Sequence, residues 1–348
     1  MHKIMLLITS TLASLLLANQ LLVSFYLRNI DITYDVTTSQ MIYDNELGYI
    51  TSPNDNFSHG GITYSTDSFS ERSFNNENTD FKKPTILLVG DSHVWGWGKD
   101  AQDTIKSKLE LLLKKNGHHL QVRTISDINY SSVQTYLKFL RDFRNYQSIT
   151  AVIWVNGHND SYNNSQLDEH RVSRPSIAFH HEDTPCRYNT PPKRPLYFSR
   201  ERWANESMFK DKYAISMNPA KLEILDFFSN IVRDIFMTSA DIKRCTNEVI
   251  DGDKVLVYLN KLMFGLATKH NAKFLSIFVP NKLIHSTSQS YNNIFISELN
   301  SSGIAATDIN TEITDKGIPT IFSASDDHLS AIVHELIAEK IFSFLKLE

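Results

Sequence analysis

The chain of 348 residues is 41% hydrophobic and 21% charged, with a formal net charge of -4, which excludes a disordered protein and fits a folded one. Its 35 lysines and arginines are scattered rather than gathered into a stripe, so nucleic acid is excluded as a partner. The length holds one large α/β core with an anchor and an insertion, and two independent domains are not required. The first element is the run from Ile4 to Leu27, which carries no charge and is long enough to cross a hydrocarbon core as a helix. A membrane anchor over residues 1–28 is favoured over a cleaved signal peptide, since Leu16 stands where a small residue is needed, and over a buried soluble helix. Lys3 with the amino terminus faces Arg28 across it, so its orientation is nearly a tie.

Residues 29–83 are polar and aperiodic and read as a juxtamembrane strap of loops and short strands. The run Thr85–Val89, TILLV, stops at Gly90 and predicts a buried parallel strand. Helix spacing follows over residues 104–116, closed by a basic turn and Gly117. A strand is expected at Leu120–Ile125, a helix at Ser132–Tyr146, and a strand at Ile149–Val155 that runs into NGHND. Residues 161–249 break the rhythm: a polar loop through Pro195 precedes an apolar-striped helix at Leu222–Met237, an insertion launched over the strand ends. The rhythm resumes with a helix at Lys254–His270, a strand at Lys273–Val279, a helix at Gln289–Leu299, a weaker strand at Ile304–Ile309 and an amphipathic helix at Ser330–Leu345. The expected fold is therefore α/β, a three-layer α/β/α sandwich with a mostly parallel central sheet and one N-terminal transmembrane helix. Ligands of such sheets bind outside the carboxyl ends of the strands, where the insertion would cap the site. Cys186 and Cys245 form no CxxC pair, which removes zinc-ribbon and thioredoxin readings and leaves either a disulfide or two thiols.

Chemistry concentrates in three places. GDSHVWGWG, Gly90–Gly98, sets Ser92 directly after a buried strand, where it is either a nucleophile or a helix cap. A serine nucleophile needs a base within hydrogen-bond reach, and His328 in the polar SASDDHLS loop is the candidate. Asn159 in NGHND is either an oxyanion donor or a turn residue. Trp95 and Trp97 either line a pocket or pack beneath the following helix. His93, His158, His180 and His181 read as loop histidines rather than metal ligands, and no cofactor is expected.

GDSHVWGWG, VNGHND and DDHLS, in that order at the ends of α/β units, resemble blocks I, III and V of the SGNH (GDSL-like) hydrolase superfamily over roughly residues 84–160 and 318–347. The strap, with LGY, PN and later Arg72, is similar to the lead-in of extracytoplasmic members. The resemblance implies a catalytic domain over residues 84–348 with a flavodoxin-like sheet, Ser92 as nucleophile and oxyanion amide, Asn159 as oxyanion side chain, and His328 as base. Two positions depart from the pattern. The block II glycine, whose amide joins the oxyanion hole, falls at Asn129. The aspartate three residues before the histidine is replaced by Ser325, so Asp326 is taken as the partner of His328, with a dyad helped by Ser325 or a backbone carbonyl, and Asp327, as the alternatives. The implied activity is that of a serine esterase or O-acyltransferase acting on an acylated small molecule or cell-envelope glycan, outside the cytoplasm. A catalytically silent glycan-binding or scaffold protein is the rival.

Overall fold

The computed structural model describes residues 41–44, 46–73, 80–157, 160, 164, 168–169, 172–173, 175–179, 185–189, 252–280, 288–318, 321–323 and 328–346. Among them no helix is long and apolar enough to cross a membrane. The expected anchor Ile4–Leu27, the helix Leu222–Met237 and Cys245 lie outside the described residues.

The strap folds into two antiparallel hairpins. In the first, β1 (Met41–Asp44) pairs with β2 (Gly48–Thr51). In the second, β3 (Asn56–His59) pairs with β4 (Ile62–Ser65) through Gly60 and Gly61, whose φ of 58° and 81° suits the mirror-image turns that match strand twist. Then β5 (Thr85–Gly90) starts the α/β core, every residue of it buried. It leads through a short helix α1 (Ser92–Trp95) to α2 (Ile105–Lys115), whose start is capped by the Thr104 side chain. Next come β6 (Gln121–Ser126), α3 (Ser132–Phe143) behind a reciprocal cap of Ser131 and Gln134, and β7 (Ile149–Asn156). The insertion is not only loop: β8 (Asp168–Glu169) pairs with β9 (Val172–Ser173), and β10 (Ser176–Phe179) with β11 (Pro185–Asn189). Runs of two to five residues are too short to show an alternation in sequence. The core closes with α4 (Gly252–Lys269), β12 (Lys273–Phe278), α5 (Ser288–Ser301), β13 (Ala306–Asp308), the unanticipated α6 (Asn310–Asp315) and α7 (Ala331–Leu345).

Five parallel strands form the central sheet in the order β13-β12-β7-β5-β6. Numbered by appearance and read from the other edge this is 2-1-3-4-5, the doubly wound order in which the winding reverses between β5 and β7. Alternation along β5 divides the core. Leu87 and Val89 pack with Val133 and Phe139 of α3 and Leu259 of α4; Ile86 and Leu88 pack with Leu109 of α2 and Ile337 of α7. Helices thus cover both faces, the three-layer arrangement anticipated. Each of these buried aliphatic side chains stabilises the fold by roughly 1.5–3 kcal/mol. At the carboxyl end of β5 the sheet admits only glycine, because a Cβ on Gly90 would stand 2.7 Å from the carbonyl oxygen of Val155 and 2.5 Å from Val94 Cγ2.

The strap is tied to this core by buried charge. Arg123 of β6 pairs with Asp67 and, at 2.8 Å, with Glu71, while Lys138 of α3 pairs with Asp142 at 2.8 Å and donates to the carbonyl of Phe69. Burial pushes the Glu71 carboxyl up to about 7 against the pull of Arg123, with Asp67 adding to the rise. Burial outweighs the attraction of Arg123 and Lys138, so Glu71 keeps its proton to higher pH than a carboxyl in water. The unfolded chain releases that proton above the ordinary value of 4.5. The folded form therefore binds more protons through this window, and its stability falls as pH rises from about 4.5 to about 7. The whole change is on the order of 3 kcal/mol. Glu71→Gln should remove that component, so thermal unfolding followed across the window should show wild type losing ground to the variant as pH rises. Parallel curves would contradict a protonated Glu71.

Candidate active site

The winding reversal leaves a crevice outside the carboxyl ends of β5 and β7, and Ser92 is the second residue beyond β5. The turn that presents it is built locally. Asp91, itself fully buried, caps α1 by accepting from the His93 N–H at 2.9 Å. The four-residue helix ends at Gly96 with φ of 83°, and the N–H groups of Gly96 and Trp97 both donate to the Ser92 carbonyl. The side chain of Ser92 is therefore not needed as a cap, and Asp91 does that work.

Ser92 Oγ lies 2.8 Å from Nε2 of His328, across 236 residues of sequence. His328 is held by a small backbone clasp. The Ser323 N–H donates to the His328 carbonyl and the Ser330 N–H to that of Ile321, each at 2.8 Å, and Phe322 bridges Leu329 before α7 begins. Lys99 Nζ reaches the Ser323 hydroxyl, tying the clasp to the loop after Ser92. The ring of His93 stands 5.2 Å from that of His328. Beneath the clasp His334 of α7 is buried, and burial reinforced by Lys99 pushes its pKa down to about 3, which keeps a second cation away from His328.

Asn129, the position where the resemblance calls for glycine, adopts φ of 60°. This is the left-handed region that glycine enters freely and that asparagine tolerates better than most residues. Ser126, at the end of β6, leads into this loop.

Asn159 lies outside the described residues, but its flanks are described. The Gly157 N–H donates to Asp160 Oδ2 at 2.7 Å and the Asp160 N–H to the Gly157 carbonyl at 3.2 Å. Asp160 is fully buried; burial first, then the negative charge of Asp91, pushes its carboxyl well above the usual range. Asp160 thus braces the turn after β7 close to Asp91, the cap of the nucleophile turn. Ser325, Asp326 and Asp327 also lie outside the described residues, so the group that orients His328 remains an expectation.

Trp95 and Trp97 are buried at 0% and 6% exposure, and their ring partner is not the following helix but the strap, Tyr64 of β4 lying 5.3 Å and 5.2 Å from them. Arg72 stacks over Tyr64 at 4.7 Å and donates to the carbonyls of Gly96 and Lys99, so the strap also clamps the nucleophile turn. Burial pulls the Arg72 guanidinium down to about 10. Among the described residues no group of three or more His, Cys, Asp and Glu side chains is placed to hold a metal ion.

These residues define a serine–histidine pair at the switch point of a doubly wound parallel sheet. No family model and no curated protein matches the chain. Solved structures similar to it include proteins described as members of the lipolytic G-D-S-L family. One described as TesA is 13% identical with a TM-score of 0.41, over 75% of this chain and 98% of that one. A putative lipolytic protein of the G-D-S-L family from Desulfitobacterium hafniense is 11% identical with a TM-score of 0.40, over 75% and 98%. An acetyl xylan esterase is 12% identical with a TM-score of 0.41, over the same shares.

Proposed function

We propose that the chain is a serine esterase or O-acyltransferase working through a covalent acyl-Ser92 intermediate. The observation that carries this reading is the 2.8 Å contact between Ser92 Oγ and His328 Nε2 at the carboxyl edge of the sheet. A free serine hydroxyl is a poor nucleophile, and a neutral imidazole at this distance accepts its proton as the oxygen attacks an acyl carbonyl. The tetrahedral oxyanion is met by the N–H groups of Ser92 and Asn129 and by the Asn159 side chain. On collapse the ester C–O bond breaks, His328 returns its proton to the departing alkoxide, and the acyl group stays on Ser92. Water or a second hydroxyl, deprotonated by the same imidazole, then releases it.

The acceptor decides between hydrolysis and transfer, and the substrate class we favour is an acylated small molecule or cell-envelope glycan. The envelope setting, with the domain outside the cytoplasm, rests on the uncharged run Ile4–Leu27. Purified protein offered p-nitrophenyl esters of increasing chain length, with and without carbohydrate acceptors, should release phenol fastest from short acyl chains. Transfer would appear as acylated sugar. No turnover across the whole panel would favour the silent glycan-binding or scaffold alternative.

A further inference from the structure

From the contacts of the strap with the loop after β6 we infer that Tyr49 is a positioning residue for the oxyanion hole, making hairpin β1–β2 a working part of the active site. This rests on the esterase reading above. The Tyr49 hydroxyl donates to the carbonyl of Asn129 at 2.6 Å and stands 3.3 Å from that of Ile128. In a trans peptide the carbonyl and the following N–H point in opposite directions. The 2.6 Å bond holds the peptide plane that follows Asn129, and the 3.3 Å contact meets the Ile128 carbonyl, on the plane whose far edge carries the Asn129 N–H, so the hydroxyl braces both planes that flank Asn129. Glycine would let those planes rock, and asparagine in the left-handed region is held there at some cost in strain, so an external clamp has a job at this position.

The clamp is itself rigid. Tyr49 is buried and meets the Tyr130 ring edge to face at 5.4 Å, while the Tyr130 hydroxyl donates back to the Tyr49 carbonyl at 2.8 Å. One residue before the loop, Asp127 accepts from the Thr51 N–H at 2.9 Å and from its hydroxyl, and also from the Ile128 N–H at 2.8 Å. Behind it, Gln134 Nε2 donates to the Leu47 carbonyl at 2.7 Å. Residues 127–130 are thus gripped from β2 and the turn before it. Farther off, Arg141 pairs with Asp44 at 2.8 Å and ties the same hairpin to α3.

Tyr49→Phe keeps the ring and removes the clamp. Deleting an oxyanion donor costs about 100- to 1000-fold in turnover, so misaiming one should cost about 10-fold. The expected result with p-nitrophenyl acetate is kcat lower by about 10-fold and KM within about two-fold. Affinity for a trifluoromethyl ketone, whose hemiketal oxygen occupies the oxyanion hole, should fall by the same factor as kcat. Arg141→Gln, the control for a loosened hairpin, should lower the unfolding temperature and leave kcat and ketone affinity near wild type. If Tyr49→Phe does not fold, Thr51→Val, which removes the hydroxyl bond to Asp127 and keeps the N–H bond, should show the same split. Wild-type kcat in the folded variant, or a loss of kcat with unchanged ketone affinity, would overturn the inference and leave the esterase reading standing. A wild-type protein inert to both ester and ketone would overturn the esterase reading and this inference with it.

Discussion

Ser92→Ala should lower esterase turnover by about a million-fold, the loss seen when the nucleophile of a comparable serine hydrolase is removed. The size of the effect follows from the loss of the oxygen that would carry the acyl group: the Ser92 hydroxyl is hydrogen-bonded to His328 Nε2, while Asp91 serves as the helix cap and accepts from the His93 N–H. The fold should survive. Capping, the left-handed Gly96 and the backbone bonds to the Ser92 carbonyl all persist when Oγ is deleted. Thermal unfolding should therefore move by no more than one hydrogen bond is worth, about 1 kcal/mol. Steady-state kinetics on p-nitrophenyl acetate, beside a melting curve, is the check. More than a few per cent of wild-type activity would remove Ser92 from the chemistry.

His328→Ala should cost a similar factor, because nucleophile and base act as a unit and losing either one stops proton transfer. The double variant Ser92→Ala with His328→Ala should accordingly be no slower than either single variant. Additive losses would mean that the two side chains serve separate steps, and the 2.8 Å contact would then be structural. Folding is a smaller concern here than for a core residue. The clasp around His328 is made by backbone groups of Ser323, Ile321 and Ser330, which an alanine keeps.

The sheet strands and the helices between them were legible because burial on both faces leaves an uninterrupted apolar run. TILLV became β5 with every residue buried, and the apolar spacing of residues 104–116 became α2, which packs Ile105, Leu109 and Leu113 inward. Ser92 and His328 stood out from their own settings, a serine after a buried strand and a histidine in a polar loop, but no local pattern joins two residues 236 apart, and the resemblance was needed to pair them. What stayed hidden has a common physical cause. Sequence reading expects Lys and Arg on solvated faces, yet Lys138, Arg123 and Arg72 are buried, each neutralised or hydrogen-bonded by a partner from the other side of the strap boundary. A strap that appeared aperiodic is thus specified by single long-range contacts rather than by a period. Asn129 likewise takes a left-handed backbone, φ 60°, that its place in the sequence did not announce.

The central claim is that Ser92 is an activated nucleophile. A fluorophosphonate reacts with serines whose proton a neighbouring base can take. Incubating purified wild-type protein and His328→Ala with such a probe, followed by digestion and mass spectrometry of the peptide containing GDSHVWGWG, reads that property directly. Stoichiometric labelling of Ser92 in wild type and none in His328→Ala is the expected result. An unlabelled wild-type Ser92, or labelling that persists without His328, would contradict it.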